Sequence, residues 1–424
     1  MASGISKGWR TNLVLAVVLL AAAGGLWILD AREASRDEAD RKSRALGTIR
    51  TEAVVSAEFA DDSGKTLTLT KKEGQWQITA PAPARTSGAT VKTMLEVLNK
   101  PYEQKVAEVI KEAAPYGLHT PAARLTVQDQ QGQTVRLAVG ATTPTGKKRY
   151  VSLGESGPVV LMPESDVAGV VQKNDALRDK NLATVQPHDI TRLAIRSTTG
   201  GELLLTRDQE NHWRLERPFA DLANANRIRT WMFALANAQG TAFTSQRPAG
   251  DAEWTLEMTP ASGNAETLSL WRASPNLLAA RPGEPDLMVL PQYLTEEFDK
   301  NPMDLVAIRP LEEKRDIDTL GLEQNDQTRS ADQKERKWPR SEWNDLVEIL
   351  QQDAYRGAPL QSQSAPWIKI TVGKGEQAVV FPIHKDDKTV FISPPGRPVS
   401  LELTPLQSET LQKAVTALMA PKPD

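Results

Sequence analysis

Three regimes of hydrophobicity follow one another along the chain. Leu13 to Leu29 reads LVLAVVLLAAAGGLWIL, seventeen apolar positions without a polar interruption. As a helix this run spans roughly 26 Å, the short end of what crosses a bilayer. Residues 30–50 are densely and oppositely charged, and Asp37–Arg41 and Glu38–Lys42 stand in the acid-first i,i+4 order that supports a solvated helical stalk. Everything after residue 50 alternates short two-residue periodicity with stretches of helical period, the mixture expected of sheets covered by occasional amphipathic helices.

That third regime repeats itself. Gln75-Trp76-Gln77-Ile78-Thr79-Ala80-Pro81 lines up with His212-Trp213-Arg214-Leu215-Glu216-Arg217-Pro218, and Leu69-Thr70-Lys71 with Leu205-Thr206-Arg207. After each proline comes a helical stripe at i, i+3, i+4, i+7: Val91, Met94, Leu95 and Leu98, then Ile228, Trp231, Met232 and Leu235. Each copy opens on an alternating strand, Val54-x-x-Ala57-x-Phe59 and Ile190-x-x-Leu193-x-Ile195. The copies close alike too, Val160–Pro163 resembling Met288–Pro291 and Leu182–Pro187 resembling Leu305–Pro310.

A third, shorter copy starts at Asp316–Leu322, an echo of Asp189–Ile195. Trp338-Pro339 then leads into a helix read as capped by Ser341, with Trp343, Leu346, Val347 and Leu350 on one face. The polar stretch Glu323–Lys337 is expected to be a loop or a weakly packed hairpin. Strands are predicted over 367–372, 378–383, 389–393 and 399–403, and a final helix over 405–419. The fold class is therefore α+β: one N-terminal transmembrane helix, then repeated modules of antiparallel strands with interspersed amphipathic helices. The expected division is 1–12 head, 13–29 transmembrane helix, 30–50 stalk, 51–187 first module, 188–310 second and 311–424 third.

Two features bear on location. The rival to an anchor is a cleaved signal peptide using Ala21–Ala23 as its small-residue site, but the run continues through Leu26, Trp27, Ile28 and Leu29, which favours an uncleaved membrane segment. The flanks are Lys7 and Arg10 before it, and Arg32, Arg36, Arg41, Lys42 and Arg44 after it. Charge alone would hold the second flank inside. The positive-inside rule governs short loops, however, and a long segment translocates largely regardless of charge. A short basic head before the first apolar run then places the N-terminus in the cytoplasm and the body across the membrane.

Composition narrows the chemistry. With 51 Lys+Arg against 54 Asp+Glu the formal net charge is −3, which excludes nucleic-acid binding by bulk electrostatics. There is no cysteine, so disulfides, thiolate metal sites and a cysteine nucleophile are excluded. Four histidines, His119, His188, His212 and His384, stand apart in sequence. Neither a G-x-S-x-G elbow nor an H-E-x-x-H helix occurs. Gly140-Ala-Thr-Thr-Pro-Thr-Gly146-Lys147-Lys148 superficially resembles a phosphate loop. Its glycines are one residue too far apart, Lys148 replaces the Ser/Thr, and a strand rather than a helix follows, so it reads as a hairpin loop. Its Lys147, Lys148 and Arg149 then decorate an exposed turn, or offer a patch to an acidic partner. Trp76 and Trp213, at the same place in two copies, read as plugs between sheet and helix ahead of sugar-stacking platforms.

Several of these segments together resemble a bacterial family, the domain of unknown function 4340. They are the single N-terminal anchor, the strand ending Trp-x-Ile/Leu-x-x-Pro, Tyr116-Gly117-Leu118-His119-Thr120-Pro121, the Gly140…Tyr150-Val151 hairpin and Leu177-Arg178-Asp179-Lys180-Asn181-Leu182. The resemblance covers most of the first copy, the second moderately and the third poorly. It implies an inner-membrane protein of a Gram-negative cell with a periplasmic body, associated with ABC-transporter permeases, ATPases or gliding-motility-type components. It assigns no catalytic residue, cofactor or metal. The expectation is thus a non-enzymatic accessory subunit tethered through Leu13–Leu29 beside membrane-protein partners. The alternatives are a periplasmic binding module for a lipid, peptide or glycan, and an envelope hydrolase with an unidentified carboxylate pair.

Overall fold

Wherever the sequence alternates, the chain is extended and paired. The computed structural model describes residues 46, 49–311, 316–335, 337–361, 365–387 and 389–420. The expected head, transmembrane helix and nearly all of the stalk lie outside the described residues. Among the described residues no helix is long and apolar enough to cross a membrane. The architecture is α+β, mostly antiparallel sheets with a few helices. Its three sheets fall in two compact units, Met1–Asp179 with Gly283–Pro285, and Lys180–Pro282 with Asp286–Asp424.

The first unit holds one nine-stranded sheet. Its strands are β1 (Val54–Asp61), β2 (Thr66–Lys72), β3 (Gln75–Ala80), β4 (Ala84–Arg85) and β5 (Gln104–Ala107), then β6 (Ala123–Asp129), β7 (Thr134–Thr142), β8 (Lys148–Leu153) and β9 (Val159–Pro163). They lie in the order β4-β3-β2-β1-β6-β7-β8-β9-β5. Val54, Ala57 and Phe59 of β1 are buried on the inner face, with Leu69, Leu125, Val127 and Met162 from its neighbours. Over that face lies the helix Gly88–Leu95, whose N-cap Ser87 accepts a hydrogen bond from the Thr90 amide. It buries Val91, Met94 and Leu95, and a 3-10 turn carries Val97 and Leu98 into the same core.

The second unit begins with a sheet of the same plan. It comprises β10 (Ile190–Ser197), β11 (Gly201–Arg207), β12 (Trp213–Arg217), β13 (Asp221–Leu222) and β14 (Ala242–Thr244), then β15 (Trp254–Pro260), β16 (Glu266–Ala273), β17 (Asn276–Ala280) and β18 (Leu287–Pro291). The order β13-β12-β11-β10-β15-β16-β17-β18-β14 matches the first sheet position for position. Even the irregularities coincide: the β1–β6 register slips between Val54 and Ser56, and the β10–β15 register between Ile190 and Arg192. The β2–β3 and β11–β12 ladders slip likewise, at Thr68/Leu69 and Leu204/Leu205. The helix Ala225–Ala236 buries Ile228, Trp231, Met232 and Leu235, the stripe predicted for it.

Among the described residues the third sheet is the same design without the two strands at one edge. It contains β19 (Thr319–Gln324), β20 (Gln327–Asp332), β21 (Arg356–Pro359), β22 (Ile368–Val372), β23 (Val379–Asp386), β24 (Thr389–Ile392) and β25 (Val399–Glu402), ordered β20-β19-β22-β23-β24-β25-β21. The polar stretch after Glu323 is a hairpin. Asn325 and Asp326 both take positive φ, 48° and 63°, as a tight two-residue turn requires. One correction concerns the helix Arg340–Gln351: its N-cap is Pro339, without a side-chain cap, and Ser341 lies inside the first turn. The closing helix Pro405–Met419 does carry a capping box, Thr404 with Gln407. The second and third sheets share one continuous core from Leu182 to Leu418.

Candidate functional site

The strand that ends in Trp-x-Ile/Leu-x-x-Pro delivers its tryptophan to the first turn of the helix that follows, and a cleft opens there in both copies. In the first unit the cleft is about 500 Å³ and is lined by Trp76, Lys71, Thr86, Gly88 and Lys92 among others. In the second unit a cleft of about 370 Å³ is lined by Trp213, Asn224, Ala225, Arg309 and Asp353 among others. Trp213 is buried, as a plug should be, and Arg207 stacks on its ring at 5.1 Å. Trp76 is only half-buried against the core and leaves part of its indole to the cleft. The plug reading therefore holds fully for Trp213 and in part for Trp76.

The backbone at each cleft is fixed by a strap from further along the chain. In the first unit Thr86 bridges to Arg178, the Ser87 amide donates to the Leu177 carbonyl at 2.9 Å and the Asp179 amide to the Arg85 carbonyl at 3.0 Å. In the second, Ala223 bridges to Val306, the Asn224 amide donates to the Leu305 carbonyl at 2.8 Å and the Ala307 amide to the Leu222 carbonyl at 2.8 Å. By hydrogen bonding, Leu177–Asp179 is thus the counterpart of Leu305–Ala307. The sequence alignment of Leu182–Pro187 with Leu305–Pro310 followed two similar apolar-to-proline endings and missed this pairing.

The remaining sequence candidates do not converge. His119, His188 and His212 are exposed, on a loop, before β10 and before β12. His188 lies 3.5 Å from Asp189, and His212 lies 3.8 Å from Asp208. His384 is buried on β23, and burial pushes its pKa down. Among the described residues no group of three or more His, Asp or Glu could hold a metal ion. The glycine-rich Gly140–Lys148 segment is the β7–β8 hairpin connection, with the Thr143 amide donating to the Lys148 carbonyl at 2.8 Å. Of the three cations Lys147, Lys148 and Arg149, two are engaged within the chain, Lys148 with Glu103 and Arg149 with Glu164.

Sequence reasoning missed the buried carboxylates, because no motif marks them. Asp129 accepts the amides of Gln131 and Gln133 at 2.9 and 2.8 Å, closing the β6–β7 turn. Asp61 accepts the amides of Ser63 and Asn174 at 2.9 and 3.0 Å. Its burial pushes its pKa up, but hydrogen bonds from Ser63 and Asn174 and the charge of Lys173 outweigh that and hold it below the usual carboxylate range. Asp221 pairs with Arg397 through two contacts of 2.7 and 2.8 Å, their side chains only 1% and 7% exposed. Arg397 also donates to the Ala307 carbonyl at 2.6 Å, so this pair pins the strap to the third sheet.

Two of the motifs behind the family resemblance, Tyr116–Pro121 and the Gly140…Tyr150 hairpin, meet in the first unit. Tyr116 and Tyr150 rings lie 5.3 Å apart. A Cβ on Gly140 would lie 2.2 Å from the Tyr116 carbonyl oxygen, and one on Gly117 (φ +65°) 2.6 Å from the Ala141 Cβ. These segments are joints of backbone against backbone. The comparison to known families covers both of these segments and leaves Leu13–Leu29 outside. The family model described as Domain of unknown function (DUF4340) matches residues 76–258, and the resemblance seen in the sequence is borne out there. No curated protein matches the chain. Among solved structures, the DNA polymerase III subunit beta from Pseudomonas aeruginosa aligns at 10% identity over 85% of this chain and 94% of its own, with a TM-score of 0.15, too low to support a shared fold.

Proposed function

We propose that this chain is a non-enzymatic accessory subunit, held in the inner membrane by Leu13–Leu29 with its body in the periplasm, that works by contact with membrane-protein partners of the ABC-transporter type. The observation that carries the reading is duplication. Two sheets of identical strand order each present a tryptophan-lined cleft beside the first turn of a helix, held by an equivalent strap. Surfaces repeated from one unit to the next suit a protein whose task is to engage other proteins at more than one place. The buried carboxylates support the same reading: Asp61 and Asp129 accept loop amides, Glu266 accepts the Thr184 amide, and Asp221 and Glu284 pair with arginines.

The test is recovery of the full-length, tagged chain from gently solubilised membranes after crosslinking. Permease and ATPase components of one transporter are expected in stoichiometric amount, and they should be depleted when Trp76 or Lys92 is replaced by alanine. Recovery of the chain alone under conditions that preserve other membrane complexes would defeat the proposal.

A further inference from the structure

The third sheet carries a cleft unlike the other two. It is about 620 Å³ and is lined by Trp338, Trp343, Lys334, Arg340, Asn344 and Asp332, with Gln333 completing its wall. That volume falls within the range of small-molecule sites. Trp338 and Trp343 form an angled aromatic wall, their ring centroids 6.0 Å apart and their planes inclined at 58°. Trp343 is only 6% exposed and is fixed by the core, whereas Trp338 is half-buried and offers ring surface to the cleft. Lys334 and Arg340, both exposed, line the cleft; the charge of Lys334 already acts on Asp332, whereas Arg340 forms no ion pair among the described residues.

The polar groups discriminate between ligands. Asp332 is held by the Lys334 amide and the Lys374 ammonium, both at 3.0 Å, and stays ionised as an acceptor on the cleft wall. A fixed carboxylate disfavours a polyphosphate, and a wall of amides and charges disfavours an acyl chain. A pyranose ring bearing one carboxylate would suit these lining groups: its C–H face could cover an indole, its hydroxyls could donate to Asp332 and to the amide oxygens of Asn344 and Gln333, and its acid group could lie near Arg340. We infer that this cleft binds an acidic saccharide, a hexuronate or comparable carboxylated sugar unit of a glycan.

The full chain in detergent is titrated with a hyaluronan-derived tetrasaccharide, which alternates glucuronate with a hexosamine, and with neutral maltotetraose, following tryptophan fluorescence and heat. Saturable binding of the acidic sugar at least tenfold tighter than the neutral one is expected, falling at least tenfold in Trp338→Ala. Arg340→Gln, a substitution at an exposed position, should weaken the acidic sugar by a similar factor and leave the neutral one unchanged. It keeps the test open should Trp338→Ala fail to fold. No saturable binding of the acidic tetrasaccharide, equal binding of the two sugars, or binding indifferent to Arg340→Gln would each overturn the inference. None of these outcomes touches the recovery of partners, which rests on the other two clefts.

Discussion

Gly140 shows how much a single missing side chain can decide. No positive φ explains it; the explanation is proximity, since any Cβ would come within 2.2 Å of the Tyr116 carbonyl oxygen and against the Leu118 side chain. Both obstacles belong to a segment that is itself turned by Gly117, so neither can yield cheaply. Gly140→Ala is expected to cost about 1–3 kcal/mol, seen as a lowered urea midpoint for the first unit. A neutral substitution would mean that the Tyr116–Pro121 segment can move aside. His384 supplies the matching case for a titrating group. Burial lowers its folded pKa beneath the ordinary imidazole value of about 6.5, so the unfolded chain binds the proton more readily. Its contribution to stability is complete above that ordinary value and is lost as pH falls through and below it. Urea midpoints of the parent should therefore drop between pH 7.5 and 5.5 by more than those of His384→Gln, and equal drops would remove the residue from the account.

At the scale of elements, the periodic ones were legible and the joints were not. The stripes at Val91–Leu98 and Ile228–Leu235 became the helices they predict because burial of one face is a local property of spacing. The hairpin at Gly140–Lys148 was legible for the same reason, a strand on either side of a turn. Ser341 was misread because Pro339 takes the N-cap position two residues earlier. The straps and clefts were invisible, since Leu177–Asp179 and Leu305–Ala307 are defined by partners some 80 or more residues away, and no periodicity records such pairing. Asp221 with Arg397 is the sharpest example: 176 residues apart, it joins β13 to the loop before β25. Breaking one side of so buried a pair strands the other charge, so Asp221→Ala should cost about 3–5 kcal/mol. The double variant Asp221→Ala/Arg397→Met should recover much of that loss. If the single variant unfolds at the parent's urea midpoint, the pair contributes nothing to holding the strap.

At the scale of the whole chain, one design is used three times, twice in full and once with two strands fewer. The first two copies could be aligned by Trp-x-Ile/Leu-x-x-Pro, whereas the third keeps the strand order with little of the sequence, because topology is satisfied by any residues that alternate correctly. The proposed function has Leu13–Leu29 in the inner membrane and the body in the periplasm, since a segment as long as the one behind that run translocates largely regardless of its arginines. An alkaline phosphatase fused after residue 424, active only when exported, should therefore be enzymatically active, and a green fluorescent protein fused at the same point through the general export route should stay dark. The same fusions on a chain with Leu19→Arg and Leu20→Arg, two charges of about 2.5–3.5 kcal/mol each at the centre of the span, should exchange their behaviour. A silent phosphatase and a bright fluorescent fusion in the parent would place the body in the cytoplasm, out of reach of any glycan outside the membrane.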